Sequence, residues 1–186
     1  PLSCAAMSLR VLQVVPYFYP AWAYGGIPRL AYGLSRALQE RGHDVSVVTT
    51  DAFDRSRRGP AGHEDLEGLS VTRLPNVSNR LAYDHGLFLP RGAVAALREE
   101  VARADVVHLH GYWHLLGNAV VAAMEGQRRP LVMTPNGTLP ILERKQRIKG
   151  LWDVLLGRSV RGAVDRWVAV SRAELNQFAR AGIAAE

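Results

Sequence analysis

Residues 24–50 read YGGIPRLAYGLSRALQERGHDVSVVTT. The glycine pair Gly25-Gly26 leads into apolar residues at Ile27, Leu30, Ala31, Leu34, Ala37 and Leu38, a spacing that puts them on one face of a helix. Pro28 suits the start of that helix, where a missing N–H costs nothing. Gly42 is a natural stop, and Val45–Thr49 follows as a strand. Upstream, Leu9–Val15 is another short apolar run, as expected of a strand buried on both faces of a parallel sheet. Strand, glycine loop, helix, strand is the first unit of a Rossmann-like sheet.

Working outward, the same logic repeats. Ser70–Leu74, Asp105–Leu109, Leu131–Thr134 and Trp167–Val170 read as further strands. Arg91–Arg103, Leu115–Glu125 and Glu143–Arg166 read as helices between them. Alternation of this kind predicts an α/β fold, an open and mostly parallel sheet with helices on both faces. Asp51–Gly68 is polar and carries Gly59, Pro60 and Gly62, so it reads as a mobile surface loop with Arg55, Arg57 and Arg58 solvated. Asn76–Pro90 reads as irregular, and Ser70–Leu74 as a strand near the sheet edge. Ser171 and Glu174 fit a helix-capping box.

The bulk properties fit one domain. The chain has 186 residues, 48% of them apolar and 22% charged, with a formal net charge of +6. That charge favours anionic partners but says nothing of fold. The single cysteine, Cys4, excludes an internal disulfide and points to a reducing compartment. No run approaches the roughly 20 apolar residues a spanning helix needs. Residues 1–8 read as an upstream, tag-like segment ahead of a domain spanning 9–186, with Met7 as the expected natural start. Asn76-Val77-Ser78 and Asn136-Gly137-Thr138 match glycosylation acceptors, but nothing else indicates secretion.

Candidate chemistry gathers where strands end. Ligands bind beyond the carboxyl ends of parallel strands. Tyr17, Phe18, Tyr19, Trp22 and Tyr24 crowd the loop after the first strand, either as packing over the sheet end or as a substrate-facing wall. Gly25-Gly26 is either a tight turn or a close backbone approach to a phosphate at a helix N-terminus. It does not match the dinucleotide fingerprint Gly-x-Gly-x-x-Gly, since Pro28 and Leu30 stand in the way. His108 and His110 share one face of their strand by its period of two, and His114 follows four residues later. Three histidines can hold catalytic zinc, but no carboxylate or cysteine spacing supports that here, and no metal site is expected. His110 is the better candidate for a catalytic or substrate-contacting group, with His108 as a core histidine. Gly111 permits close ligand approach, and Asn136 and Gly137 end a strand on the same edge. Glu143–Arg166 carries Ile148, Leu151, Trp152, Leu155 and Leu156 with an excess of Lys and Arg. It reads either as a helix packed on the sheet with a solvated basic face or as a peripheral contact to an anionic membrane. No recognition motif for nucleic acid accompanies these charges.

Taken in order, Tyr17-Phe18-Tyr19-Pro20, Tyr24-Gly25-Gly26-Ile27-Pro28-Arg29, Leu34-Ser35-Arg36-Ala37-Leu38, Arg41-Gly42-His43-Asp44-Val45, Asp105-Val106-Val107-His108-Leu109-His110-Gly111, Pro135-Asn136-Gly137-Thr138 and Val170-Ser171-Arg172-Ala173-Glu174 resemble the N-terminal domain of family 4 glycosyltransferases. These belong to the GT-B fold, group 1 retaining enzymes. The resemblance implies two Rossmann-like domains facing across a cleft, this chain being the acceptor-side one. A C-terminal domain in cis would bring the nucleotide-sugar and a Glu-x7-Glu motif, so this chain alone would be inactive. The resemblance also implies that Gly25 and Gly26 approach the donor diphosphate or sugar, and that His110 contacts the transferred sugar. Tyr24, Arg29, Gly111, Asn136 and Gly137 would line the site. No tightly bound cofactor is implied; the donor is a substrate, and the acceptor would be a glycan or lipid-linked sugar of a surface polysaccharide, handled in the cytoplasm or at the inner membrane face. The alternative is a non-catalytic nucleotide- or phosphate-binding Rossmann module.

Overall fold

The computed structural model describes residues 7–138 and 156–183. Seven strands form one sheet in the order β3-β4-β2-β1-β5-β6-β7. They are β1 (Arg10–Val14), β2 (Asp44–Thr50), β3 (Gly62–Leu66), β4 (Leu69–Leu74), β5 (Val106–His110), β6 (Leu131–Thr134) and β7 (Arg166–Trp167). All neighbours pair in parallel except β3 and β4. The helices are α1 (Gly26–Glu40), α2 (Asn79–His85), α3 (Ala93–Arg103), α4 (Leu115–Ala123), α5 (Arg158–Ala163) and α6 (Arg172–Arg180). This is the expected α/β Rossmann-like architecture, consistent with the N-terminal half of a GT-B fold.

Alternation along the strands builds two cores. Leu12, Val14, Val107, Leu109, Leu131 and Met133 face one side and pack against Leu97 and Val101 of α3, Leu116 and Val120 of α4, Val160 of α5 and Phe178 of α6. Val11, Val15, Val45, Val47 and Val71 face the other and pack under Ile27 and Ala31 of α1. Gly117 lets α4 lie close to β5, since a Cβ there would meet Leu109 Cδ2 at 3.3 Å.

Several sequence expectations change in detail. The buried stripe of α1 is Ile27, Pro28, Ala31 and Ser35, whereas Leu30 is 38% exposed. Pro28 is the third helical residue rather than the first, still within the turn whose N–H groups lack intrahelical partners. The Asp51–Gly68 loop contains β3, which forms an antiparallel hairpin with β4 through Glu67 and Gly68, both at positive φ. Such a two-residue turn matches the twist of the strands it joins. So β4 lies near the edge as expected, and β3 is the edge strand itself. Its sequence is polar and half-exposed because an edge strand needs no apolar face and is protected by charge.

The three arginines of that loop are paired. Arg58 meets Asp51 at 3.1 Å, Arg57 meets Asp54 at 2.6 Å and Arg55 meets Asp84 at 3.2 Å. Within the stretch read as irregular, Ser78 caps α2 by accepting from the N–H of Leu81. The long helix expected over Glu143–Arg166 lies largely outside the described residues; its final part is α5, which ends at Ala163, and Arg166 already belongs to β7. Pro1–Ala6, Cys4 included, also lies outside them. Among the described residues no helix is long and apolar enough to cross a membrane.

Candidate functional site

From β1 the chain passes to β2 on one side. It later crosses to β5 on the other side of β1. The strand order therefore reverses between β1 and β5, and ligands of open α/β sheets bind outside the carboxyl ends at such a switch point. The loop after β1 carries Gly25-Gly26, the end of β5 carries His110-Gly111, and the end of β6 carries Asn136-Gly137. Because β1, β5 and β6 are parallel neighbours, all of these residues share one edge.

On the first wall, Gly25 has φ +89 and Gly26 opens α1. Both are exposed, and a Cβ at either would meet nothing within 4 Å. No side chain caps this helix and its first turn holds no acidic residue. Pro28 has no N–H, so Gly26 and Ile27 carry the first-turn donors. An uncapped, positively polarised helix end with open glycines can receive an anion.

The aromatic loop before it packs mainly on itself. Tyr17 and Tyr24 stack with ring centroids 4.4 Å apart, and both lie against Phe88. Burial pushes each of their hydroxyls up to about 12. Tyr24 is thus a packing residue whose buried hydroxyl finds no partner among the described residues. Arg29 holds its guanidinium 4.6 Å over the ring of Trp22, which is 36% exposed at the same loop.

On the second wall, His110 is fully buried at the tip of β5. Its Nε2 lies 2.6 Å from Oε1 of Gln13 on β1, and its ring stands 4.2 Å from that of His108. Nε2 of His108 is 2.7 Å from Thr134 Oγ1. His114 starts α4 and directs Nε2 to the carbonyls of His110 (2.8 Å) and Gly111 (3.1 Å). A carbonyl only accepts, so His114 carries its proton on Nε2. The three histidines do not converge on a point: each Nε2 has a different partner. Among the described residues no cluster of His, Cys, Asp or Glu could hold a metal ion.

Burial lowers the proton affinity of all three rings. His108 and His114 fall to about 4. His110 falls well below its ordinary value, through burial first and then its two histidine neighbours. The three are neutral at physiological pH.

Gly111 has φ +79 and donates its N–H to the Thr134 carbonyl. It is buried, and a Cβ would strike the His114 ring at 3.3 Å, so the neighbour it admits closely is that ring. Asn136 adopts φ +55 and donates Nδ2–H to the Thr134 carbonyl. Gly137, at φ +74, is exposed, and its N–H points to Glu174.

Glu174 does more than cap. Ser171 Oγ accepts from its N–H as a capping serine should, but its own carboxylate is 2% exposed and accepts from the N–H of Gly137 (2.6 Å) and of Val170 (2.8 Å). It ties the loop after β6 to the loop after β7. Gln13 was also not singled out by motif. Its signal was present: it is the one polar residue in the run Leu9–Val15 apart from Arg10, and it is in phase with the histidine face.

Comparison with curated proteins gives no significant match. The sequence profile of glycosyltransferase family 4 matches residues 24–186, from the aromatic loop to the end of the chain. That span holds the glycine-led helix, the β5 histidines, the Asn136-Gly137 turn and the Glu174 clasp, all on one edge of a Rossmann-like sheet. The chain belongs to glycosyltransferase family 4.

Proposed function

We propose that this chain is the acceptor-side domain of a retaining, group 1 glycosyltransferase. The enzyme moves a sugar from a nucleotide-sugar to a glycan or lipid-linked acceptor in surface polysaccharide synthesis. The observation that carries this reading is the strand-order reversal between β1 and β5, with an uncapped helix N-terminus and the buried His110 at the same carboxyl edge. The donor diphosphate would approach Gly25 and Gly26, delivered by a C-terminal domain in cis. Sugar and acceptor would lie toward His110, Asn136 and Gly137.

Within that reading the protein supplies position and electrostatics. The bond from the anomeric carbon to the donor phosphate breaks as the bond to the acceptor oxygen forms on the same face. The leaving phosphate oxygen takes the acceptor proton. The helix end stabilises the charge that develops on the phosphate. His110, neutral, takes part by hydrogen bonding rather than by charge. The work would take place in the cytoplasm or at the inner membrane face, with residues 143–166 as the membrane contact.

The coding sequence beyond Glu186 tests the architecture. A second Rossmann half with paired glutamates is expected, and its absence would count against the reading. Calorimetry of the 186-residue chain with nucleotide-sugars tests the division of labour. Weak binding is expected; tight binding would favour a self-sufficient nucleotide-binding module.

A further inference from the structure

Gln13 is an amide in the middle of a buried strand, fully shielded and flanked by Leu12 and Val14 of the core. A buried amide is costly unless it is hydrogen-bonded. It finds one partner across the β1–β5 pair. Gln13 stands opposite His108 in register, on the face that His110 shares, and its Oε1 is 2.6 Å from His110 Nε2. A carbonyl oxygen accepts and cannot donate, so the proton of the neutral ring sits on Nε2. The other nitrogen, Nδ1, then holds a lone pair. It is buried and has no hydrogen-bond partner among the described residues. Gln13 Nε2 is buried and likewise has none among them. Orphaned buried polar atoms are few in native proteins, and a pair beside the strand-order reversal calls for an explanation.

We propose that Gln13 is the positioning residue of His110: it fixes the Nε2–H tautomer, so that His110 meets the transferred sugar as a hydrogen-bond acceptor through Nδ1. The second half rests on the reading of this edge as the sugar site. A sugar hydroxyl is the matching donor, and it keeps its proton because the ring stays neutral. The ring is fully buried in the free chain, so the contact requires the edge over it to be uncovered. A nitrogen that only accepts favours a hydroxyl and rejects a ligand that presents a bare acceptor there.

Long-range proton–nitrogen correlation spectra of the labelled chain test the first half without ligand. At neutral pH His110 is expected with a protonated Nε2 and a bare Nδ1. A protonated Nδ1 would overturn the role of Gln13 and would mean that its amide is turned the other way. Gln13→Met removes the oxygen at similar length and is expected to release a mixture of tautomers; Gln13→Glu keeps an acceptor oxygen and is expected to retain Nε2–H. A pure Nε2–H tautomer in Gln13→Met overturns the proposal. If that variant does not fold, the wild-type spectrum still decides. In sugar transfer by the full gene product, Gln13→Met is expected to lower kcat/KM about tenfold, with partial recovery in Gln13→Glu. Unchanged transfer in both Gln13→Met and His110→Ala, alongside the expected tautomer, would overturn the sugar contact while upholding the first half.

Discussion

The carboxylate of Glu174, on α6, accepts the backbone N–H of Gly137 at 2.6 Å across the gap between two strand-end loops. Its second oxygen accepts from Val170 at 2.8 Å, and the side chain is 2% exposed. The turn at Asn136-Gly137 is therefore held by a residue 37 positions further along the chain. Glu174→Ala leaves two N–H groups without their acceptor and should cost about 2 kcal/mol in urea denaturation. Glu174→Gln keeps the shape and one acceptor oxygen and should lose less. A Glu174→Ala protein as stable as wild type would contradict the clasp.

Gly25 and Gly26 separate by backbone. Gly25 sits at φ +89, where an L side chain is strained, so Gly25→Ala should destabilise by roughly 1–2 kcal/mol. Gly26 is helical with open space around its Cβ position, so Gly26→Ala should leave stability unchanged or raise it by up to about 1 kcal/mol. Thermal melts of the two variants check this. A Gly26→Ala protein that melts much lower than wild type would contradict the geometry.

The buried histidines set an acid limit. His108 and His114 are held near 4 in the folded chain by burial, against an ordinary value of 6.5. Above pH 6.5 they are neutral folded or unfolded and cost nothing. As pH falls from 6.5 toward 4 the unfolded chain takes up protons that the native state refuses, so stability drops, by about 3 kcal/mol per histidine at the full extent. His110 adds in the same direction. Asp105, lowered to about 2 by its bonds from Arg10, acts in a separate window: its contribution is present above pH 3.8 and is lost between 3.8 and 2. Melting temperatures should hold nearly level from pH 7.5 to about 6.5 and then fall toward pH 4.5, less steeply in His108→Gln. A flat profile would mean that the rings are not buried neutral.

Arg73 is 4% exposed on β4; it donates to Glu64 of the edge strand at 2.6 Å and to the Tyr19 carbonyl. It joins the hairpin to the aromatic loop. Arg73→Met should cost about 2 kcal/mol, because it removes a buried cation from the half-buried Glu64 carboxylate and the Tyr19 carbonyl, and Glu64→Gln clearly less. Urea midpoints give the comparison, and a neutral Arg73→Met would place the coupling elsewhere.

The sheet was legible because its central strands are buried on both faces. Leu9–Val15, Asp105–Leu109 and Leu131–Thr134 are short apolar runs that end at Pro16, Gly111 and Pro135, and they became β1, β5 and β6. The hairpin strand β3 was not legible, since Gly62-His63-Glu64-Asp65-Leu66 lies at an edge and has no apolar periodicity to read. Nor was α2, whose seven residues give fewer than two turns of pattern. At the site, Gly25, Gly26, His110, Gly111, Asn136 and Gly137 fell on one edge because parallel pairing brings every strand end there. Tyr24 and Arg29 fell on that edge too, but their contacts are to Tyr17 and Trp22. The partnerships of Gln13 with His110 and of Glu174 with Gly137 join residues 97 and 37 positions apart, and no local pattern encodes them.

The central claim is that sugar transfer takes place between the Gly25-Gly26 helix end and His110. The direct measurement is transfer from labelled nucleotide-sugars by the full gene product, in wild type, His110→Ala and Gly26→Trp. A Cβ at Gly26 meets nothing within 4 Å, so the fold is expected to survive the tryptophan while the approach of the donor phosphate is blocked. The account predicts a loss of about 100-fold or more in kcat/KM for both variants with melting temperatures near wild type for Gly26→Trp. Transfer at the wild-type rate in both would contradict it.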